Sequence, residues 1–391
     1  MAEEHLLAFC ERQRAWMIEE VERLARAESP STDKAAVDRC AGLLAERLEA
    51  IGARVDTVRQ HEAGNHLRAE FADKGSMHID APRLLLLGHF DTVWPCGQLE
   101  RMPVRREGNR LFGPGVFDMK GGVVIAMAAV RALQELGGDA LRSVVMLWTS
   151  DEEVGSGSSR ELIESEARRC AAALVFEPSL PGGGVKTARK GCAGYEVIVH
   201  GVGAHAGIEP EKGASAVQEL ALQIPCINAL HDPARGLSVN VVQAWGGARA
   251  NVIPDEAHAL VDVRVPSAAA WEELKRAFAA LRPIDPRTRI ECRGWFDRPP
   301  MERTAASASL YERARAIARS LGHELPEGST GGGSDGNFTS AAGVPTLDGL
   351  GAVGEGAHAL HEHILVADLP WRAALVAALV TQLAKDGTIA V

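Results

Sequence analysis

Leu84-Leu85-Leu86-Leu87-Gly88-His89-Phe90-Asp91-Thr92-Val93 is an apolar run that ends in an imidazole and a carboxylate. Four consecutive leucines show no polar alternation, which suits a strand buried on both faces of a parallel sheet. In open α/β sheets, ligands collect beyond the carboxyl ends of such strands. His89 and Asp91, two residues apart, would point the same way there. Asp91 can accept a hydrogen bond from one ring nitrogen and leave the other for a metal. A capped loop after a buried strand explains the same residues, so this segment alone fixes a place and not a chemistry.

Outward from that strand the apolar periods repeat. Strands are expected at 54–58, 67–71, 143–149 and 172–176, and helices at 34–51, 120–136 and 158–169. The 120–136 helix is expected to stop at Gly137-Gly138. Strands alternating with helices predict an α/β fold with a largely parallel central sheet. Leu6, Leu7, Trp16, Met17, Val21 and Leu24 recur at helical spacing among charges, which predicts one amphipathic N-terminal helix and not a signal peptide.

Near Gly191 the pattern changes. Strands at 195–200, 238–245, 258–265 and 288–295 and helices at 214–230 and 268–281 spell β-α-β-β-α-β, a ferredoxin-like split unit. A helix at 305–321, a glycine-rich loop at 328–333, a strand at 345–348 and a helix at 370–385 follow. The expected organisation is a catalytic domain from 1–190 and 301–391, interrupted by an inserted domain at 191–300.

A chain of 391 residues favours two domains. Its 42 basic residues against 52 acidic ones give a net charge of −10, which argues against nucleic-acid binding, where a basic face must neutralise phosphates. The apolar runs are too short to span a membrane. Seven scattered cysteines with no C-x-x-C pair argue against a disulfide framework or zinc knuckle and for a reducing cytoplasm.

Four more segments place ligand-type side chains at strand ends or glycine turns. In Gly113-Pro114-Gly115-Val116-Phe117-Asp118-Met119-Lys120-Gly121-Gly122, glycine clusters flank Asp118 before a long apolar helix. A helix cap is the plain alternative for Asp118. Asp151-Glu152-Glu153 follows an apolar strand, where inward-facing acids are costly without a cation. One glutamate could hold a metal while its neighbour takes a proton from water. Glu177 ends the apolar stretch Leu174-Val175-Phe176, and Gly354–Glu355 leads into a loop with His358, His361 and His363. Singly, each of these also reads as a solvated loop. Together, mixed imidazole and carboxylate donors suit zinc.

In order and at similar spacing, GHFDTV (88–93), GPGVFDMKGG (113–122), TSDEEVGS (149–156), FEPS (176–179) and GAHALHEH (356–363) resemble the blocks of the dinuclear-zinc aminoacylase and carboxypeptidase family. GGGSDGNF (331–338) and VKTARKG (185–191) resemble its glutamate carboxypeptidase branch, and the βαββαβ insertion resembles its lid and dimerisation domain. The resemblance implies two Zn2+ per subunit, with Co2+ or Mn2+ as substitutes. His89, Asp118 and Glu177 would hold one ion and Asp118, Glu153 and His358 the other, with Asp118 bridging. It implies further that Asp91 orients His89, that Glu152 is the general base, and that Asp118–Met119 is a cis peptide. His358 is preferred to His361 and His363 because Glu362, four residues on, matches the closing block.

Gly203-Ala204-His205-Ala206-Gly207 resembles the block whose histidine stabilises the tetrahedral oxyanion, in the family from the partner subunit. Arg264 and Asn251 match contacts to the substrate carboxylate, and Gly332, Gly333 and Ser334 a backbone loop on its C-terminal group. The expected activity is hydrolysis of an amide bond next to a free α-carboxylate. It would release an acidic C-terminal amino acid from N-acyl or aryl-acyl conjugates or peptides. A broader N-acyl-amino-acid deacylase is the alternative, and a non-hydrolytic metal-binding homologue a more distant one. The expected partners are a small-molecule substrate and a second copy of the chain, paired through the lid as a cytoplasmic homodimer.

Overall fold

The leucine run forms the strand Leu84–His89, buried at every position. Parallel neighbours flank it on both sides, Val144–Thr149 and Ala172–Val175, each in register from Leu84. Antiparallel Arg54–Val58 and His66–Glu70 extend one side and parallel Thr346–Leu347 the other, giving a six-stranded sheet that is largely parallel at its centre. Alternation along the strands sorts the core. Leu84, Leu86, Met146 and Leu174 join the cluster that contains Gly121–Glu135 and Leu369–Asp386, and Leu85, Leu87, Leu147 and Val175 join the one with Ile163 and Phe338. Each fully buried leucine contributes about 2 kcal/mol of transfer free energy.

This computed structural model describes residues 2–71, 82–135 and 139–386. It divides the chain into one unit of residues 1–188, 303–329 and 334–391 and another of residues 189–302 and 330–333. Residues 330–333, expected in the catalytic segment, are grouped with the second unit. Gly137-Gly138 lies outside the described residues. Among those residues, no helix is long and apolar enough to cross a membrane.

In the second unit, Ser238–Gly246, Glu256–Val265, Gly191–His200 and Arg289–Arg298 pair in that spatial order, all antiparallel. With helices Ala216–Asn228 and Ala268–Ala279 this is the expected βαββαβ order. Tyr195, Val197, Val199, Val261 and Val263 share one core with Leu220, Leu274 and Phe278 of the helices. Tyr195 stacks on Phe278 at 3.8 Å.

Three expectations differ from the structure. The N-terminal helix is two helices, Ala2–Arg12 and Arg14–Arg26. At the break the Gln13 N–H is shared between the Phe9 and Cys10 carbonyls, a tightened turn that ends the first helix. The loop expected at 328–333 begins as the strand Glu327–Thr330, paired with Val185–Arg189. A four-stranded sheet of Gly354–Glu355, His363–Leu365, Arg110–Phe112 and Arg105–Glu107 was not foreseen, because strands of two or three residues carry no readable period.

Candidate metal centre

His89 is the last residue of the central strand, and two close approaches set its place. A Cβ on Gly88 would lie 2.2 Å from Met119 Cε, so only glycine lets Met119 reach the strand. Met119 Sδ then accepts the His89 backbone N–H at 3.3 Å. A Cβ on Gly122 would lie 2.0 Å from the Phe176 carbonyl oxygen, so the start of helix Gly121–Glu135 abuts the backbone just before Glu177.

The expected ligand residues converge. His89 Nε2 lies 3.3 Å from Asp118 Oδ1 and 3.6 Å from Glu177 Oε1. His358 Nε2 lies 3.4 Å from Asp118 Oδ2 and 3.1 Å from Glu153 Oε2. Asp118 thus offers one oxygen to each imidazole. Donor atoms of His89, Asp118 and Glu153 all fall within 4.8 Å of one another, and so do those of His89, Glu152 and Glu177. The Asp118–Met119 peptide is cis. His358 holds φ +60, a left-handed conformation that costs a non-glycine residue about 1–3 kcal/mol and gathers at functional sites.

Supporting contacts come from Asp91, which the sequence marks, and from Ser31 and Lys120, which it does not. His89 Nδ1 lies 3.1 Å from the Asp91 carbonyl oxygen and 3.3 Å from its Oδ1. Asp91, fully buried, accepts the Ser31 hydroxyl at 2.6 Å and the backbone N–H groups of Glu152 and Glu153 at 3.4 and 3.2 Å. One residue therefore contacts the histidine ring through its carbonyl and carboxylate, and its carboxylate holds the turn that carries both glutamates. Lys120 Nζ donates to the Leu24 and Ala27 carbonyls, both at 2.9 Å.

Charge is divided unevenly across the cluster. Burial opposes charge on His89, but the carboxylates of Asp118 and Asp91 outweigh it and raise its pKa well above the usual imidazole value. Asp118 and Glu153 push His358 up to about 10. Burial works against Asp118 too, yet His358 and His89 hold it far below the ordinary carboxylate range. Glu153 goes the other way, raised by burial and by Asp118 against the pull of His358.

The residues present fit divalent metal. His89 Nε2 and Asp118 Oδ1 are buried polar atoms that make no hydrogen bond, to each other or elsewhere. Buried atoms left in that state are costly unless a cation takes their lone pairs. Two imidazoles with the carboxylates of Asp118, Glu153 and Glu177 make a mixed nitrogen and oxygen donor set that suits a divalent transition metal.

The other residues singled out in the sequence have separate surroundings. His361 is exposed, while buried His363 tilts against Phe112 at 5.0 Å and keeps its Nδ1 3.0 Å from the His361 carbonyl oxygen. In the second unit, Ala204–His205 pairs with Val252–Ile253, and Gly207 N–H donates to His205 Nδ1 at 3.1 Å. The Asn251 carbonyl accepts Ala206 N–H at 3.0 Å. Arg264 grips Asp262 with Nε at 3.2 Å and Nη2 at 2.9 Å and reaches Cys192 Sγ with Nη1 at 2.6 Å. Arg189 Nη1 takes the carbonyls of Gly332 and Gly333 at 3.2 and 3.0 Å. Ser334, in the first unit, is fully buried and gives its hydroxyl to Asp348 at 2.6 Å.

The model of peptidase family M20/M25/M40 matches residues 85–382, which include every one of these positions. The chain belongs to the M20 peptidase family. Carboxypeptidase G2 of Pseudomonas sp. (strain RS-16) is 29% identical over 383 residues, covering 94% of this chain and 89% of that protein. Succinyl-diaminopimelate desuccinylase of Nitrosococcus oceani is 27% identical over 350 residues, 84% of this chain and 89% of that one. Among solved structures, the aminopeptidase PepT of Bacillus cereus shares the fold with a TM-score of 0.76 at 22% identity, covering 95% of this chain and 99% of that chain. As an M20 member the chain is a metal-dependent hydrolase of peptide or amide bonds, from a family whose sites are typically dinuclear.

One further residue at this site stands out in the sequence only as a landmark for His358. Glu362 is 1% exposed, and its carboxylate accepts the Trp94 indole N–H, the Gly115 N–H, the Phe117 N–H and the Asp118 N–H at 2.9, 2.9, 2.9 and 3.1 Å. Burial pushes its carboxyl up to about 7 against the pull of these donors. Its position four residues after His358 was the available signal; its partners, more than 240 residues away, were not.

Proposed function

We propose that this chain is a glutamate-carboxypeptidase-like hydrolase. It cleaves the amide bond next to a free α-carboxylate and releases an acidic C-terminal amino acid from N-acyl or aryl-acyl conjugates or peptides. The observation that carries this reading is Asp118 set between two imidazoles, 3.3 Å from His89 and 3.4 Å from His358, with Glu177 and Glu153 beyond them. His89, Asp118 and Glu177 would hold one zinc ion, and Asp118, Glu153 and His358 the other. Such a pair polarises the scissile carbonyl and makes water a nucleophile near neutral pH.

The chain's own residues do the rest. Asp91 fixes the His89 ring through Nδ1 and holds the Glu152 turn. The Glu152 carboxylate takes the proton of the attacking water and gives it to the leaving nitrogen. Arg264 and Asn251 hold the α-carboxylate, with the backbone of Gly332, Gly333 and Ser334 at the C-terminal group. The Gly207 N–H on His205 Nδ1 leaves the ring hydrogen on Nε2, a donor suited to an oxyanion. The second unit acts as lid and dimerisation domain, and its edge strand Ser238–Gly246 carries exposed Val242 and Trp245. Seven free thiols fit the cytoplasm.

The test is release of glutamate or aspartate from a panel of N-acyl conjugates, followed by mass spectrometry and abolished by a chelator. Glu152→Gln should lower kcat by about 10³-fold while both ions stay bound. Near-normal turnover in that variant would end the assignment. A second reading, with Glu152 as a ligand beside His89 and Glu177, rests on their donor atoms lying within 4.8 Å and predicts loss of an ion instead. Turnover across many N-acyl amino acids would favour the broader deacylase, in line with the desuccinylase relative.

A further inference from the structure

We infer that Glu362 is a positioning residue for the metal centre, its buried carboxylate fixing where Asp118 stands relative to His89 and His358. This rests on the two-metal reading above. All four hydrogen-bond partners of the Glu362 carboxylate are N–H donors. An acceptor-only group is required, and an ionised carboxylate is the side chain that can serve four donors at once. Those donors are not scattered. Gly115, Phe117 and Asp118 are one turn, the one whose last member bridges the imidazoles. Trp94 lies five residues beyond His89 on the segment leaving the central strand. Glu362 itself lies four residues beyond His358, and its backbone carbonyl accepts Gly113 N–H at 3.4 Å. One carboxylate thus ties together the segments that supply His89, Asp118 and His358. Lys120, the buried cation of the same turn, gives its hydrogens to Leu24 and Ala27 and favours the Glu362 charge only through its field, so the N–H groups are the hydrogen-bond partners of the carboxylate.

Glutamine in this place has the same shape but one amide NH2 where an acceptor stood. In either orientation two N–H donors would face another donor, and the turn must move. Asp118 moves with it, so both ions should be bound more weakly.

The experiment is titration of the metal-free full chain with cobalt(II), read by visible absorption and by competition with a chelator. For Glu362→Gln we expect affinity to fall about 10- to 100-fold for both ions, with a changed cobalt spectrum. Trp94→Phe, which removes one donor and leaves the carboxylate in place, should give the same spectral change with a smaller loss. Two cobalt ions bound by Glu362→Gln with unchanged affinity and spectrum would overturn the inference, as would a variant whose only defect is a lower melting temperature. If Glu362→Gln does not fold, an unchanged spectrum in Trp94→Phe overturns it. Failure of the unmodified chain to take up two ions would instead remove the two-metal reading, and this inference with it.

Discussion

The two units hold their polar residues in opposite ways. In the first, His89, Asp118, Glu153 and Glu177 are largely buried, come from segments after separate strands and from the turn before helix Gly121–Glu135, and are held by residues far away in the chain, Glu362 and Ser31 among them. In the second, His205 and Asn251 are exposed, and Arg264 is satisfied by Asp262, two residues away on its own strand. Ligand-type atoms of the first unit converge and are largely buried before any ion is present, which suits the metal site proposed there. A guanidinium already paired in a partly exposed position pays little to wait, and on the proposed reading it would exchange partners when a substrate carboxylate comes. Preorganisation is expected where the ion binds and exchange where the substrate does.

The sharpest way to break that contrast is pH. In the metal-free chain His358 is raised to about 10 and His89 well above 6.5, so near neutrality both imidazoles carry protons that an ion must displace. The sign follows: metal affinity rises with pH, by about tenfold per unit for each proton released and so about 100-fold per unit between roughly pH 6 and 8. In the metal-free chain the His358 contribution to stability is complete below its unfolded value of 6.5 and is lost as pH rises through about 10. Calorimetric zinc titration in buffers of different ionisation enthalpy measures the protons directly. A pH-independent affinity with no proton release would mean the imidazoles are not ligands.

How much of this was readable in advance follows the same division. The leucine strand, the glycine turn around Asp118 and the Glu152-Glu153 turn announce themselves because sheet burial and close backbone approach leave local signatures, four leucines in a row or glycine where a Cβ would collide with Met119. The fold order and the side chains that converge around Asp118 were legible for that reason. The roles of Glu362, Ser31 and Met119 were not. Each acts on a partner at least 30 residues away, and a lone Glu, Ser or Met has no period to betray it. The bond from the Ser334 hydroxyl to buried Asp348 was equally unreadable, its partner lying 14 residues on.

The second unit offers the next test. Arg264→Ala should raise KM by about 10- to 100-fold, the worth of a charge-assisted pair with the substrate carboxylate, with a smaller change in kcat and no change in zinc affinity. Steady-state kinetics beside a zinc titration separates the two. Burial lowers the pKa of Arg264, but Asp262 and Cys192 outweigh it, and the group stays charged at every pH used for assay. A zinc affinity that falls in this variant would show that Arg264 acts on the metal centre and not only on substrate binding.

The smallest effect concerns Asp262. It holds Arg264 bidentately, yet both side chains are about one-third exposed, 36% and 35%, so water screens the pair and its worth is well under the value for a buried bridge. Two consequences of Asp262→Asn oppose each other. Loss of the fork loosens the guanidinium, and loss of the charge removes an anion that competes with, and repels, the substrate carboxylate. Orientation of a half-exposed arginine that Cys192 still contacts at 2.6 Å changes little, whereas a like charge beside the incoming carboxylate acts on every binding event. Repulsion should therefore win, and KM should fall about two- to fivefold with kcat and zinc content unchanged. The gain should shrink as salt is raised, because the removed interaction is partly screened already. A rise in KM would instead make Asp262 the residue that aims Arg264, and the second unit would then be preorganised in the same sense as the first.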